Sequence, residues 1–217
     1  GFVNMLKAAV DNKVKAFVYA SSSSVYGDEP TLPKVEDRVG NCLSPYAATK
    51  KTNELYAQVF ADVYGIKLMG FRYFNIFGPR QDPDGPYAAV IPLFVKGIIN
   101  KQPVYINGDG EQTRDFTFVE NAVQINIKGM LCENTFAFNK VYNVAVGEYF
   151  SVNYLYDACG SQLGSEWEAT YREPRAGDIR NSLADISLSK EMLGYQPGKR
   201  FEDGLTETIE FFRKKYS

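Results

Sequence analysis

Two short apolar runs, Lys15–Ser21 and Lys67–Tyr73, flank Pro45–Tyr64, a stretch with helical periodicity. In that stretch Leu55, Val59 and Val63 fall on one stripe, with Tyr56 and Phe60 beside it. Ser44 is suited to cap the helix, Pro45 to occupy its first turn and Gly65 to end it. The flanking runs read as buried strands of the parallel-sheet kind. Residues 2–11, with apolar side chains on one face, read as a preceding helix. Helix, strand, helix, strand is the order that right-handed crossovers build into a parallel sheet, so the chain is expected to be α/β.

Beyond Tyr73 the alternation loosens. Asn75–Pro86 reads as a loop just past a strand's carboxyl end, the edge where ligands sit in open α/β sheets. A helix near Ala88–Asn100, a strand Pro103–Ile106, a turn Asn107–Gly110, a strand Thr113–Thr117, a helix Val119–Leu131 and a strand Val141–Val146 are expected next. A helix after Ser151, an extended piece near Glu168–Arg172, a loop to Ser182 and helices near 185–193 and 201–215 complete the reading. These later pieces suggest a smaller mixed lobe interleaved with the first.

Composition removes several classes of function. The 217 residues carry 24 basic and 26 acidic side chains without a basic block, which gives no reason to expect nucleic-acid binding. No run reaches the ~18 apolar residues of a membrane span. Cys42, Cys132 and Cys159 are far apart and odd in number, which suits a reduced, cytoplasmic protein. There is no histidine, so Ser-His-Asp and Cys-His nucleophile systems are excluded, as are histidine metal sites, and no metal is expected. Acid–base work is left to Tyr, Lys, carboxylates and hydroxyls.

One stretch offers that chemistry. Ser21-Ser22-Ser23-Ser24 ends the first strand, and Tyr46 and Lys50 lie one turn apart on the helix that follows. A free phenol titrates near ~10, so a tyrosine base needs positive charge beside it, which an ammonium one turn away supplies. Serine hydroxyls from the strand end can fix a substrate oxygen within reach of the phenol. As an extended segment, the run would put Ser22 and Ser24 on one side and Ser23 on the other.

These residues resemble the extended short-chain dehydrogenase/reductase superfamily, and among its members the nucleotide-sugar 4-epimerases. The resemblance is carried by Ser22-Ser23-Ser24-Val25-Tyr26-Gly27, Ser44-Pro45-Tyr46-Ala47-Ala48-Thr49-Lys50, Arg72-Tyr73-Phe74-Asn75-Ile76-Phe77-Gly78-Pro79-Arg80-Gln81, Gly108-Asp109-Gly110-Glu111-Gln112-Thr113-Arg114-Asp115-Phe116 and Arg175-Ala176-Gly177-Asp178. It implies a partial Rossmann domain, a doubly wound parallel sheet, in residues 1–86 with returns near 113–146. Residues 87–217 would form mainly the nucleotide-sugar lobe. The glycine-rich turn that receives the dinucleotide pyrophosphate does not precede Lys15. The chain therefore looks truncated, with NAD binding and turnover expected only once that part is supplied.

The resemblance also implies roles. Tyr46 would move the proton of the sugar 4-hydroxyl while the carbon passes its hydride to NAD and takes it back on the opposite face. Lys50 and Tyr73 would contact the cofactor together with Tyr46, and Ser22, assisted by Ser23 and Ser24, would hold the sugar oxygen. Asn75, Ala89, Val90, Tyr105, Asn107, Arg114, Arg175 and Asp178 would bind the UDP portion. No carboxylate interrupts Ser23-Ser24-Val25, where dehydratases and decarboxylases of the superfamily carry one, so simple epimerisation is expected. Ser182 stands where enzymes restricted to unacetylated hexoses carry a bulky tyrosine, and the segment Arg80–Val90 resembles the UDP-N-acetylglucosamine 4-epimerase subgroup. UDP-glucose or UDP-glucuronate epimerisation, or a non-catalytic nucleotide-sugar-binding fragment, are the alternatives. Family members pair through a four-helix bundle, for which residues 2–11 and 45–64 are the candidates, although the same stripe could pack only on the sheet.

Overall fold

The computed structural model describes residues 1–85, 89–174 and 179–216. Three parallel strands, β1 (Phe17–Ser22), β2 (Leu68–Tyr73) and β7 (Lys140–Val144), form the main sheet in the order β1-β2-β7. Helices α1 (Phe2–Asp11) and α2 (Pro45–Tyr64) connect in the expected sequence. The register aligns Ser22 with Tyr73 and Tyr73 with Val144, so the three carboxyl ends meet in one row.

α1 and α2 cover one face and a later helix the other, because successive residues of a strand point to opposite sides. Ser21 of β1 bonds to Glu54 of α2. Val18 instead faces α4 (Val119–Met130), where a Cβ on Gly129 would come within 2.8 Å of Phe71 and 3.4 Å of Val18. That glycine lets the helix lie directly on the strands. Among the described residues β1 pairs only with β2 and is half buried, with Tyr19 and Ser21 covered and Ala20 exposed. The buried strand expected over Lys15–Ser21 is covered only at Tyr19 and Ser21, having a single neighbouring strand among the described residues.

The cap signals of α2 act as their chemistry suggests. Ser44 Oγ accepts from the Ala47 amide at 3.1 Å, and Gly65 ends the helix at φ +67°. The side chains that pack inward are Ala47, Glu54, Ala57, Phe60 and Ala61. Leu55, Val59 and Val63 are 59%, 54% and 66% exposed. Packing of that stripe on the sheet is therefore overturned.

The second half surrounds its own apolar core, built from α3 (Val90–Ile99), α5 (Val152–Leu163) and α7 (Phe201–Tyr216). Short strand pairs stitch it together. β3 (Ile76–Phe77), inside the stretch expected to be loop, runs parallel to β6 (Thr117–Phe118). β4 (Tyr105–Asn107) runs parallel to β9 (Thr170–Arg172), while β5 (Thr113–Arg114) is antiparallel to β8 (Phe150–Ser151). The single strand expected over Thr113–Thr117 is thus two pieces with different partners, separated at Asp115 and Phe116. α6 (Ser187–Leu193) returns to the main sheet, where Leu193 and Tyr195 join Tyr26, Phe71 and Tyr142 in one cluster.

Candidate functional site

The serine run is not extended beyond Ser22. Ser23–Tyr26 form a 3₁₀ turn capped by Ser22, whose Oγ accepts from the Ser24 amide at 3.2 Å and from Ser24 Oγ at 3.0 Å. Ser22 and Ser24 are thus joined by a tight turn, not by strand alternation. The sequence reading of their sides is corrected on that ground: three hydroxyls in a row favour local side-chain-to-backbone bonding over further extension.

α2 brings Tyr46 and Lys50 to the same strand end. Tyr46 is 55% exposed, with Lys50 Nζ 5.7 Å from its ring centre. The ammonium donates to the carbonyl of Ala20 at 3.0 Å, two residues before Ser22. One of its three hydrogens is used there, leaving two to face a ligand. Tyr73, opposite Ser22 in the register, lies on the α4 face, and its phenol accepts from Asn126 Nδ2 at 2.7 Å.

A buried polar network beneath fixes the rotation of α2. Arg72 donates through Nε and Nη2 to the two oxygens of Glu54, both at 2.9 Å, and through Nη1 to the carbonyl of Glu36 at 2.8 Å. Ser21 Oγ donates to Glu54 at 2.5 Å. The Arg72 guanidinium also lies 4.9 Å from the Tyr26 ring centre, and Tyr26 donates to Asn143 Oδ1 at 2.6 Å. Burial pushes the Tyr26 phenol up to about 12 against the opposing effect of Arg72. Tyr46, Lys50 and Glu54 are spaced by four, so the buried carboxylate orients the face that carries the other two. This pair escaped the motif reading, yet a charge inside the run Leu68-Met69-Gly70-Phe71-Arg72 signals that a buried partner must exist.

The residues expected at the nucleotide end gather in the second half. Val90, Tyr105 and Asn107 line a cavity of about 260 Å³ with Leu93, Phe94 and Arg172. A neighbouring cavity of about 490 Å³ shares Asn107 and Arg172 and adds Asp109, Gln112 and Arg180. Ala89 is half-buried just before α3. Arg172 donates to Asn107 Oδ1 at 2.6 Å and lies over the Tyr105 ring, 5.2 Å from its centre. Sequence reasoning missed Arg172, which reaches Asn107 only through the parallel β4–β9 pairing. Arg180 forms a two-pronged pair with Asp109, both contacts at 2.8 Å. Arg114 donates to the carbonyl of Thr113 at 2.8 Å. The amide of Ser182 donates to Thr113 at 3.2 Å, and the Ser182 residue is only 8% exposed. Asn75 takes a positive φ of 37° and donates from Nδ2 to the carbonyl of Asp115 at 3.1 Å. Arg175 and Asp178 lie outside the described residues, as do residues 86–88.

A phenol with an ammonium beside it, hydroxyls at the same strand end and a cation-bearing cavity further along can move a proton on a hydroxyl-bearing anionic ligand. The sequence profile of the NAD dependent epimerase/dehydratase family matches residues 1–145. The chain belongs to the NAD-dependent epimerase/dehydratase family. A UDP-glucose 4-epimerase of Mycolicibacterium smegmatis is 34% identical over 216 residues, covering 99% of this chain and 68% of the relative. Among solved structures, a UDP-N-acetylglucosamine 4-epimerase from Methanobrevibacter ruminantium M1, in complex with UDP-N-acetylmuramic acid, is 39% identical with a TM-score of 0.93, covering 99% of this chain and 68% of that one. A UDP-glucuronic acid 4-epimerase from Bacillus cereus, in complex with UDP-glucuronic acid and NAD, is 28% identical with a TM-score of 0.90 and is covered to 67%, against 99% of this chain. The chain thus spans about two thirds of each. These likenesses agree with the Rossmann-type α/β fold expected from the sequence.

NAD dependence comes with the family. The chemistry of the residues present is compatible with that cofactor: Lys50 has two N–H donors beyond the one given to Ala20, and Tyr73 ends β2 opposite Ser22. Among the described residues, no helix is long and apolar enough to cross a membrane.

Proposed function

We propose that this chain is the larger part of a UDP-N-acetylglucosamine 4-epimerase, interconverting UDP-N-acetylglucosamine and UDP-N-acetylgalactosamine. Its assignment as a UDP-sugar 4-epimerase is carried by one observation. Lys50, with Tyr46 one turn before it on α2, bonds to Ala20 just ahead of the serine turn that ends β1, in a chain of this family.

In this reading bound NAD supplies the acceptor and then the donor of the hydride. Tyr46 takes the proton from the sugar 4-hydroxyl and returns it after the 4-keto sugar has turned over. Lys50 holds the ribose and stabilises the phenolate, and Tyr73 contacts the cofactor beside it. Ser22, with Ser23 and Ser24, keeps the sugar oxygen within reach. Asn75, Arg114 and Arg175 bind the diphosphate, while Ala89, Val90, Tyr105, Asn107 and Asp178 bind the nucleoside. Residues 1–86, with returns near 113–146, act as the cofactor-side domain and 87–217 mainly as the nucleotide-sugar lobe.

The N-acetyl preference rests on Ser182. Its small side chain leaves room for an acetamido group that a tyrosine would exclude. The relatives named above act on UDP-glucose and UDP-glucuronic acid as well, so the test is a substrate panel. In a polypeptide carrying the dinucleotide-binding part, turnover of UDP-N-acetylglucosamine is expected to exceed that of UDP-glucose and UDP-glucuronate. Ser182→Tyr is expected to suppress the first and spare the second. Unchanged N-acetyl turnover in that variant would sink the size argument. UDP binding with no turnover of any of the three would favour a binding-only role.

The chain also pairs with a second copy through α1 and α2. The exposed stripe Leu55, Val59 and Val63 on α2, with Tyr56 on the same helix and Met5 exposed on α1, supports this. A cytoplasmic location follows the three unpaired cysteines.

A further inference from the structure

We infer that Asp115 is a positioning residue that ties together, through its buried carboxylate and its main-chain carbonyl, the segments carrying Asn75, Arg114 and Ser182, so that UDP affinity depends on it without contact. The inference rests on the nucleotide-sugar reading above.

Asp115 has 0% exposure and sits between the two short strands β5 and β6. Its Oδ1 accepts from the Val146 amide at 3.0 Å, and its Oδ2 accepts from Gly147 at 3.1 Å and Ala184 at 3.3 Å. Val146 and Gly147 follow β7, at the carboxyl edge of the main sheet, and Ala184 lies two residues beyond Ser182. The Asp115 backbone carbonyl receives the side-chain amide of Asn75 at 3.1 Å, and the Asn75 carbonyl receives the Thr117 amide at 3.2 Å. Thr113 and the 180–182 segment are bonded in both directions, Thr113 N to Arg180 O at 3.0 Å and Ser182 N to Thr113 O at 3.2 Å.

Each contact alone is a structural hydrogen bond. Together they make Asp115, through its carboxylate and its main-chain carbonyl, the common anchor of three strips of chain from distant parts of the sequence. The chemistry demands an acid here. Three N–H donors arrive on two oxygens, and an asparagine would offer one oxygen while turning an NH₂ toward the remaining donors. The displaced donor would belong either to the 146–147 segment or to Ala184, next to Ser182. Movement of the Asp115 main chain would also carry away the carbonyl that holds Asn75 in its positive-φ conformation. Tyr46 and Lys50, on α2, are held by other contacts, through Glu54 and Ala20, and none of these is made by Asp115.

The test is calorimetry with UDP on the 217-residue chain, comparing the wild type, Asp115→Asn, Asn75→Ala and the double variant. Asp115→Asn is expected to weaken UDP binding about tenfold or more. The double variant should bind no more weakly than the weaker single one, since the first change already releases Asn75. Hydrogen exchange on the wild type checks the same point without any variant: UDP should slow exchange at the Val146, Gly147 and Ala184 amides. With the dinucleotide-binding part supplied, Asp115→Asn should raise KM and leave kcat within about twofold. Wild-type binding of UDP with an equal affinity in Asp115→Asn overturns the inference and leaves the nucleotide-sugar reading intact. Additive losses in the double variant do the same, as do unchanged amides or a fall confined to kcat. Failure of the wild type to bind UDP removes that reading, and this inference with it. A melting curve shows whether Asp115→Asn is folded, and if it is not, the wild-type exchange result decides.

Discussion

Arg72 on the middle strand and Glu54 on the helix that carries Tyr46 face each other through two hydrogen bonds of 2.9 Å, with both side chains buried. Removing one member leaves the other charged and unpartnered in the interior. Glu54→Ala is expected to cost about 3–5 kcal/mol, roughly 6–20 °C in melting temperature for a chain of this size. Replacing both by apolar residues of similar volume should cost much less. Thermal melts of the two variants check this, and a Glu54→Ala melt within about 2 °C of wild type would contradict it.

Tyr46→Phe removes one hydroxyl from an exposed ring and leaves the packing of α2 untouched. In a polypeptide that includes the dinucleotide-binding part, interconversion should fall by at least about 10²–10⁴-fold while UDP affinity stays as it was. The pair of measurements matters, because a loss of both would indicate damage to the nucleotide end instead.

The stripe on α2 predicts the assembly state. Light scattering on the 217-residue chain should report a dimer, and Leu55→Glu combined with Val59→Glu should give a monomer with an unchanged melting curve. A wild-type monomer at micromolar concentration would end the four-helix-bundle proposal.

Asp115 gives a pH dependence with a defined sign. Burial pushes its carboxyl up to about 7, against the pull of the three backbone amides. The titratable groups facing it are Glu148, which raises it further, and the neutral Tyr195 phenol, itself held well above its usual range. An unfolded Asp titrates near ~3.9, so between roughly pH 4 and 7 the folded chain binds the extra proton. Its contribution to stability is therefore greatest below the unfolded value and is lost as pH rises through 7. The wild-type melting temperature should fall from pH 5 to pH 8 by a component that Asp115→Asn lacks. Parallel pH profiles for the two proteins would refute this assignment.

Much of the first third was legible from local signals. The cap at Ser44, the stop at Gly65, the helical stripe and the two apolar runs are all short-range patterns, and the corresponding elements form. Tyr46 and Lys50 were also readable, since one helical turn joins them. The serine run was less so: Ser22 caps a turn instead of continuing a strand, a choice settled by hydroxyl bonding within three residues. Pairings between distant segments were not legible. Nothing near Thr113 indicates that it would pair with Ser151, or that Arg172 would reach Asn107.

The sequence by itself determined the α/β order, the helix that presents a phenol and an amine together, and the absence of any histidine chemistry, because these depend on residue type and spacing within a few turns. Only the tertiary structure decided which face of α2 is buried, that Glu54 answers Arg72, and that Asp115 gathers amides from positions 146, 147 and 184. The reason is physical: a buried charge must find its partner across space, and the chain's spacing says nothing of which distant group will be there.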